Sequence, residues 1–513
     1  MSNTFLNGMK SASNYTHTEN GALTHKSTMD GLMDLFAMGA AYRTRTDEDV
    51  ILLFKKAFYE NPSYALKCLF YIRDVRGGQG ERRFFRVATK WLASYNPDAM
   101  RRNLQYVPEF GRWDDLFVFI GTPLEADALN IVKHQLALDV QCKTPSLLGK
   151  WMPSENTSSQ KTRKTAAKVR KFIGMTPKQY RKTLSVLRAR INVLERLMSE
   201  GRWDEIEFDK IPSKAGLKYK NAFARHDIER MKRNPEVKTY EDFAKDTTTK
   251  VNAKALYPYE VVAKAVDLMG CDYWTRRPAP AMDNVDRLMI NKYWENLADY
   301  FNGKTFNGLA VVDTSGSMTG SNADAPINVA ISLGLYCAER AKGPFAGHYV
   351  SFSRTPRLIE TVGVDFCDKV KRIYETNLCE NTNIEATFDM LLNTALANGC
   401  SQDELPQNII VISDMEFDQG TGHGWGYGRQ SWNPQTLMEG IREKWARHGY
   451  RLPHLIYWNV QARQNNIPED IGCGLVSYVS GMSPSIFEQI LSGKTGYDLM
   501  FEKLDSERYA VIQ

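Results

Sequence analysis

The sequence predicts an α + α/β protein: a helical array over residues 46–300, then a doubly wound α/β domain over 301–513. Two patterns point there. From Asp47 onward, apolar residues recur at helical spacing in one short amphipathic segment after another. From Gly308 onward, short apolar strands alternate with helices, which implies a mostly parallel sheet. Charge follows the same division. The first 305 residues hold 50 Lys/Arg against 36 Asp/Glu, whereas residues 306–513 hold 16 against 24. At 513 residues the chain has room for several cores, and 43% apolar with 25% charged residues is an ordinary globular composition.

Composition also excludes classes. No apolar run is long enough for a transmembrane helix, and the polar N-terminus lacks a signal pattern. Eight scattered cysteines without a Cys-x-x-Cys pair argue against a disulfide framework or a zinc ribbon. A cytoplasmic protein with no membrane partner is expected.

In order, residues 1–45 are rich in Ser, Thr, Asn, Gly and Met without a sustained period, and read as a mobile arm. Thr46 caps a helix over 47–61, with Leu53, Phe54, Ala57 and Phe58 as its stripe. A second helix, 62–75, ends in the glycine-rich turn Gly77-Gly78-Gln79-Gly80, and more follow near 82–95, 97–107, 113–119 and 124–138. The order suggests an α-solenoid or irregular array. Gly111-Arg112-Trp113-Asp114-Asp115 is echoed by Gly201-Arg202-Trp203-Asp204-Glu205, a reused helix-start device. A polar break at 153–165 precedes helices around 165–173 and 177–199, then 239–267 and 284–301. The α/β half follows, with strands at 309–312, 346–352, 357–362, 408–413, 453–460 and 474–480.

Strand Leu309 to Val312 delivers Asp313, Ser315 and Ser317 at its carboxyl end, where ligands sit in open α/β sheets. One carboxylate and two hydroxyls at alternate positions make a hard-oxygen nest suited to Mg²⁺, with Mn²⁺ or Ca²⁺ as alternatives. The Asp-x-Ser-x-Ser spacing resembles the metal-ion-dependent adhesion site (MIDAS) of von Willebrand factor A-like domains. That resemblance implies a Thr at a later helix start and an Asp after a later buried strand. Thr382, before the 384–398 helix, and Asp414, after Ile409 to Ile412, fit in order. Asp313, Ser315 and Ser317 would ligate the cation, Thr382 directly or through water, with Asp414 behind them.

Enzymatic readings fit less well. A haloacid-dehalogenase-type phosphatase wants a second Asp where Ser315 stands, and no P-loop, Ser-His-Asp order or His-Glu-x-x-His pattern occurs. Residues 419–428 are glycine-rich and carry His423, Trp425 and Tyr427. They form either a plain loop or a flap over the metal site.

Between Lys161 and Arg190 stand Lys161, Arg163, Lys164, Lys168, Arg170, Lys171, Lys178, Arg181, Lys182, Arg188 and Arg190, with no acid. Phe172 and Tyr180 are interleaved. Such a run can neutralise phosphates and stack on bases, or it can be a solvated surface.

Several stretches resemble a family catalogued as a domain of unknown function: 69–83 (through Arg73-Asp74-Val75-Arg76-Gly77-Gly78), 147–154, 180–188, 195–203, Ile211-Pro212-Ser213 and Tyr257-Pro258-Tyr259-Glu260. The architecture is also similar to the Ro autoantigen (TROVE) proteins. That similarity implies HEAT-like helices, a ring closed by the A-domain, and RNA binding. The reading is a non-enzymatic protein that binds RNA or a ribonucleoprotein through its basic helices. The alternative is a scaffold whose protein partner supplies a carboxylate to the metal, and a metal-dependent phosphate-processing enzyme comes last.

Overall fold

The computed structural model describes residues 9–10, 12–270, 282–352, 355–376, 382–419, 436–472 and 475–513. The chain divides into two compact units, one of Met1–Cys68 with Leu256–Ser506 and one of Leu69–Ala255 with Glu507–Gln513.

The first unit holds a two-stranded hairpin, β1 (Tyr15–His17) and β2 (Leu23–His25), and a six-stranded mixed sheet. The sheet strands are β3 (Gly308–Asp313), β4 (His348–Phe352), β5 (Arg357–Glu360), β6 (Asn408–Ser413), β7 (His454–Asn459) and β8 (Val476–Ser480), in spatial order β5-β4-β3-β6-β7-β8. All neighbours run parallel except β4 and β5. β3, β6, β7 and β8 are almost continuously buried, as strands covered on both faces require, so they read as apolar runs without alternation. Sheet growth goes from β3 outward to β4 and β5, then resumes on the other side of β3 with β6. Such a reversal opens a crevice beyond the carboxyl ends of the two strands. Helix Pro326–Arg340 packs closely on β3: a Cβ on Gly334 would lie 2.4 Å from Val312 Cγ2.

The N-terminal segment corrects the mobile-arm expectation. Helix Gly31–Met38 is buried at every position, and Phe36 O accepts a hydrogen bond from Ser480 Oγ of β8 (3.0 Å). Leu32, Met33, Leu35, Phe36 and Met38 are apolar all round the helix. They therefore leave no amphipathic stripe, and the polar residues before them disguise the element. Asp30 caps it, accepting from Met33 N (2.8 Å), and buried Asp34 accepts from Ser27 Oγ, Thr28 N and Thr28 Oγ1 at 2.5–2.8 Å. Burial pushes the Asp34 carboxyl up, against these hydrogen bonds.

Residues 256–300 also cluster with the sheet, although the pattern groups them with the helical array. Helix Pro258–Met269 packs on Pro326–Arg340, and Arg287 forks onto Asp365 (2.7 and 2.8 Å).

The second unit is helical, with main helices Arg82–Tyr95, Glu125–Gln141, Gln160–Ile173, Pro177–Arg190 and Ser213–Arg225. Phe70 sits edge-on to Phe85 and Phe110, 5.4 and 5.3 Å between centroids. Beside them, fully buried Arg73 donates from Nε (2.8 Å) and Nη2 (2.7 Å) to Asp115 Oδ2, while Arg86 Nε takes Oδ1 (2.7 Å). Neighbouring Asp74 accepts from Arg508 and from the Tyr509 hydroxyl, which ties the last seven residues into this unit. The glycine turn is compact for a steric reason: a Cβ on Gly78 would lie 2.1 Å from Tyr71 O. The echoed pentapeptides both start 3₁₀ turns, Trp113–Phe119 and Trp203–Glu205.

Candidate functional site

Asp313 is the last residue of β3 and is fully buried. The register Val312↔Ile412 sets it beside Ser413, whose Oγ donates to Asp313 Oδ2 at 2.5 Å. The other oxygen, Oδ1, accepts from Ser315 N at 2.9 Å, which folds the loop tightly behind the strand. That turn carries Ser315 Oγ to 3.0 Å from Ser317 Oγ. Asp414, one residue past β6, accepts from Glu416 N at 3.2 Å through Oδ1, and its Oδ2 is buried without a hydrogen-bond partner among the described residues.

The electrostatics follow from burying carboxylates together. Burial, then the Asp414 charge, pushes the Asp313 carboxyl up to about 7. Asp414 is also raised by burial, although the Glu416 N–H and the nearby Ser317 hydroxyl favour its charged form. Burying an unpaired anion is costly, so two such groups at one strand edge call for a compensating positive charge.

Asp313, Ser315, Ser317 and Asp414 therefore come together. Thr382 is buried, and its carbonyl accepts from Asp418 N (3.0 Å), which ties its backbone to the loop that follows Asp414. Asn383 then caps helix Ile384–Asn398 through Ala386 N (2.9 Å). His423, Trp425 and Tyr427 lie outside the described residues. Among the described residues, no three His, Cys, Asp or Glu side chains converge as a metal group, so any ion here would depend on hydroxyl oxygens as well.

Three features of the site escape sequence reasoning. Ser413, which orients Asp313, reads as one more residue of the apolar strand. Glu416 is fully buried, and burial followed by the Asp414 charge pushes it up to about 7. The third is the hairpin: Glu19 N donates to Glu416 Oε2 (2.7 Å), Asn20 Nδ2 to Glu416 O (2.6 Å) and Thr18 Oγ1 to Phe417 O (2.6 Å). The N-terminal strap is thus bonded to the Asp414 loop. Met415, at the centre of that loop, has φ 66°, a left-handed conformation uncommon for a non-glycine residue. The acid pair in Ser413-Asp414-Met415-Glu416 was the available signal.

The basic residues divide by what they touch. Lys161, Arg163, Lys164, Lys168, Lys171, Lys178, Arg181, Lys182 and Arg190 are exposed, while Arg170 and Arg188 are half-buried. Lys168 pairs with Glu125 (2.6 Å) and Arg170 with Glu155 (2.7 Å). Arg190 Nη1 donates to the carbonyls of Val140 (2.7 Å) and Cys142 (3.1 Å) at the end of helix Glu125–Gln141. Tyr180, expected as a stacking platform, is a core residue whose hydroxyl donates to Pro153 O (2.7 Å), because its helix turns the Tyr180, Leu184 and Leu187 face inward.

A family model described as a domain of unknown function (DUF2828) matches residues 18–128 and 146–304. The chain belongs to the DUF2828 family. A second model of a domain of unknown function (DUF7788) matches 307–509, the stretch that carries the candidate site. All the motifs first read as a family resemblance fall inside the DUF2828 match. "Uncharacterized protein L728" of Acanthamoeba polyphaga mimivirus is 28% identical over 484 residues, 87% of this chain and 79% of that protein. The crystal structure of the Deinococcus radiodurans Ro (RSR) protein is similar at a TM-score of 0.48 and 15% identity, covering 91% of this chain and all of that one. No described helix of this DUF2828 protein is long and apolar enough to cross a membrane.

Proposed function

We propose that the first unit is a von Willebrand A-like domain holding one divalent cation, and that the protein is a non-enzymatic, cation-dependent binding protein. The observation that carries this reading is Asp414 Oδ2, a buried carboxylate oxygen without a partner among the described residues, at the same strand edge as Asp313, Ser315 and Ser317. The residues fit the group. The two serine hydroxyls and Asp414 have free lone pairs, and an ionised Asp313 accepts about four hydrogen bonds or ligands, of which two are made. Thr382 would complete the set. Mg²⁺ suits few protein oxygens and retained waters, with Mn²⁺ or Ca²⁺ as substitutes. When bound, the ion supplies a Lewis-acidic position for an acidic group of a partner. Manganese titration of the full chain, followed by electron paramagnetic resonance, should show one bound ion. That ion should be lost in the Ser315→Ala/Ser317→Ala double variant; unaltered binding in this variant overturns the reading.

A second reading, nucleic-acid binding by the helical unit, is favoured by Lys161, Lys164, Lys171, Lys178 and Lys182. All five are exposed, and none pairs with a carboxylate among the described residues. Affinity for single-stranded RNA should fall steeply as salt rises. Absence of binding at low salt removes this reading.

A further inference from the structure

Two neighbouring hollows of about 320 and 470 Å³ in the helical unit share Arg188, Arg196 and Glu200 in their linings. Helix Pro177–Arg190, helix Leu194–Ser199 and segments 150–151 and 154–156 line them. Arg188 stands at their junction. Its Nε donates to Gly149 O (2.9 Å), Nη1 to Ser154 Oγ (3.0 Å) and Nη2 to Met152 O (3.0 Å). Every one of these acceptors is neutral, and no described carboxylate pairs with Arg188, so a half-buried guanidinium keeps its charge uncompensated. Burial accordingly pushes its pKa down. A guanidinium has five N–H donors, so two remain for a ligand.

Two further cations stand at the rim. Arg181 reaches Glu155 only at 3.9 Å, and that carboxylate is held more closely by Arg170 at 2.7 Å. Arg196 is paired with Glu200 at 2.8 Å across one partly exposed helical turn, an i,i+4 arrangement that is weak and readily exchanged. Trp151 lines the larger hollow, with the Arg112 guanidinium 4.5 Å from its ring centroid. Three guanidinium groups around one hollow match a multiply charged tetrahedral anion better than a single carboxylate, since the planar fork binds phosphate oxygens in pairs.

We infer that this cleft binds a phosphate group, with Arg188 at its base and Arg181 and Arg196 closing on the ligand from the rim. The source is either a free phosphate or mononucleotide, or the backbone of an RNA strand. The inference shares Arg181 and Arg188 with the nucleic-acid reading, yet it does not require the exposed lysines, and the test separates the two.

Calorimetric titration of the full chain with inorganic phosphate, adenosine monophosphate and a single-stranded 12-nucleotide RNA forms the three arms. Binding in any arm should weaken at least tenfold in the Arg181→Gln/Arg196→Gln variant, whose rim positions leave the fold intact. Arg188→Lys tests the base, and its thermal midpoint distinguishes lost binding from lost folding. A Lys161→Gln/Lys164→Gln/Lys178→Gln variant should keep phosphate and mononucleotide affinity. Binding of the two small probes without RNA binding supports the cleft and removes the nucleic-acid reading. RNA binding that depends on the lysines and ignores the rim variant overturns the cleft, as does absence of binding in all three arms.

Discussion

Ser413 Oγ donates to Asp313 Oδ2 at 2.5 Å, so the last residue of one buried strand orients the carboxylate at the end of its neighbour. Ser413→Ala leaves a buried carboxylate oxygen without its donor and should destabilise the chain by about 1–3 kcal/mol in urea titration. Asp313→Asn removes the charge that burial and Asp414 both oppose. In EDTA this variant should be at least as stable as the parent. Magnesium should raise the thermal midpoint of the parent alone, because only an ion-binding native state gains from added ligand.

Arg73 and Asp115 form an almost completely buried pair in the helical unit. Arg73→Met strands Asp115, leaving, among the described residues, half-exposed Arg86 and the Arg112 N–H to hold its charge, and should cost about 3–5 kcal/mol. Arg73→Met/Asp115→Leu, which removes both charges, should recover part of that loss by the same urea measurement.

His454 sets an acid limit on the α/β unit. Its Nε2 meets Ser477 Oγ (2.8 Å) and its Nδ1 meets Asn408 Oδ1 (3.1 Å), and burial pushes its pKa down to about 4 from 6.5. Folding therefore favours the neutral ring, and the unfolded chain binds more protons between pH 4 and 6.5. The contribution is complete above pH 6.5 and is lost as pH falls toward 4, about 3 kcal/mol in all. His454→Gln should flatten that part of the stability profile, read from urea midpoints across pH.

The hairpin strap should restrain the loop after β6. Thr18 Oγ1 donates to Phe417 O and accepts from Ala22 N, so Thr18→Val removes both bonds. Amide exchange over residues 415–419 should accelerate in this variant, while helix Gly31–Met38 keeps its protection. Unchanged exchange at 415–419 would show that the strap does not stabilise the loop.

The periodicities showed most of the fold because they are local properties. The β6 run Asn408 to Ser413 and the stripe Leu53, Phe54, Ala57 and Phe58 each declare their element without reference to anything distant. The placement of Asp313, Ser315, Ser317, Thr382 and Asp414 at strand ends and in the turns beside them was legible for the same reason: the flanking strands and helices are specified by their own residues. Helix Gly31–Met38 was not legible, since apolar residues on every side, broken only by Asp34, carry no period, and its burial depends on β8, hundreds of residues later. Tyr180 was misread because a tyrosine among basic residues looks the same in sequence whether its ring faces solvent or core.

By itself, then, the sequence determined the two classes of structure, their charge bias and the loop positions of the oxygen-bearing residues. Only the tertiary structure decided that Ser413 orients Asp313, that Glu416 and the N-terminal hairpin join the site, and that Arg188 lacks a counter-charge among the described residues. Register, burial and missing partners depend on which distant segments meet, and no local pattern encodes that.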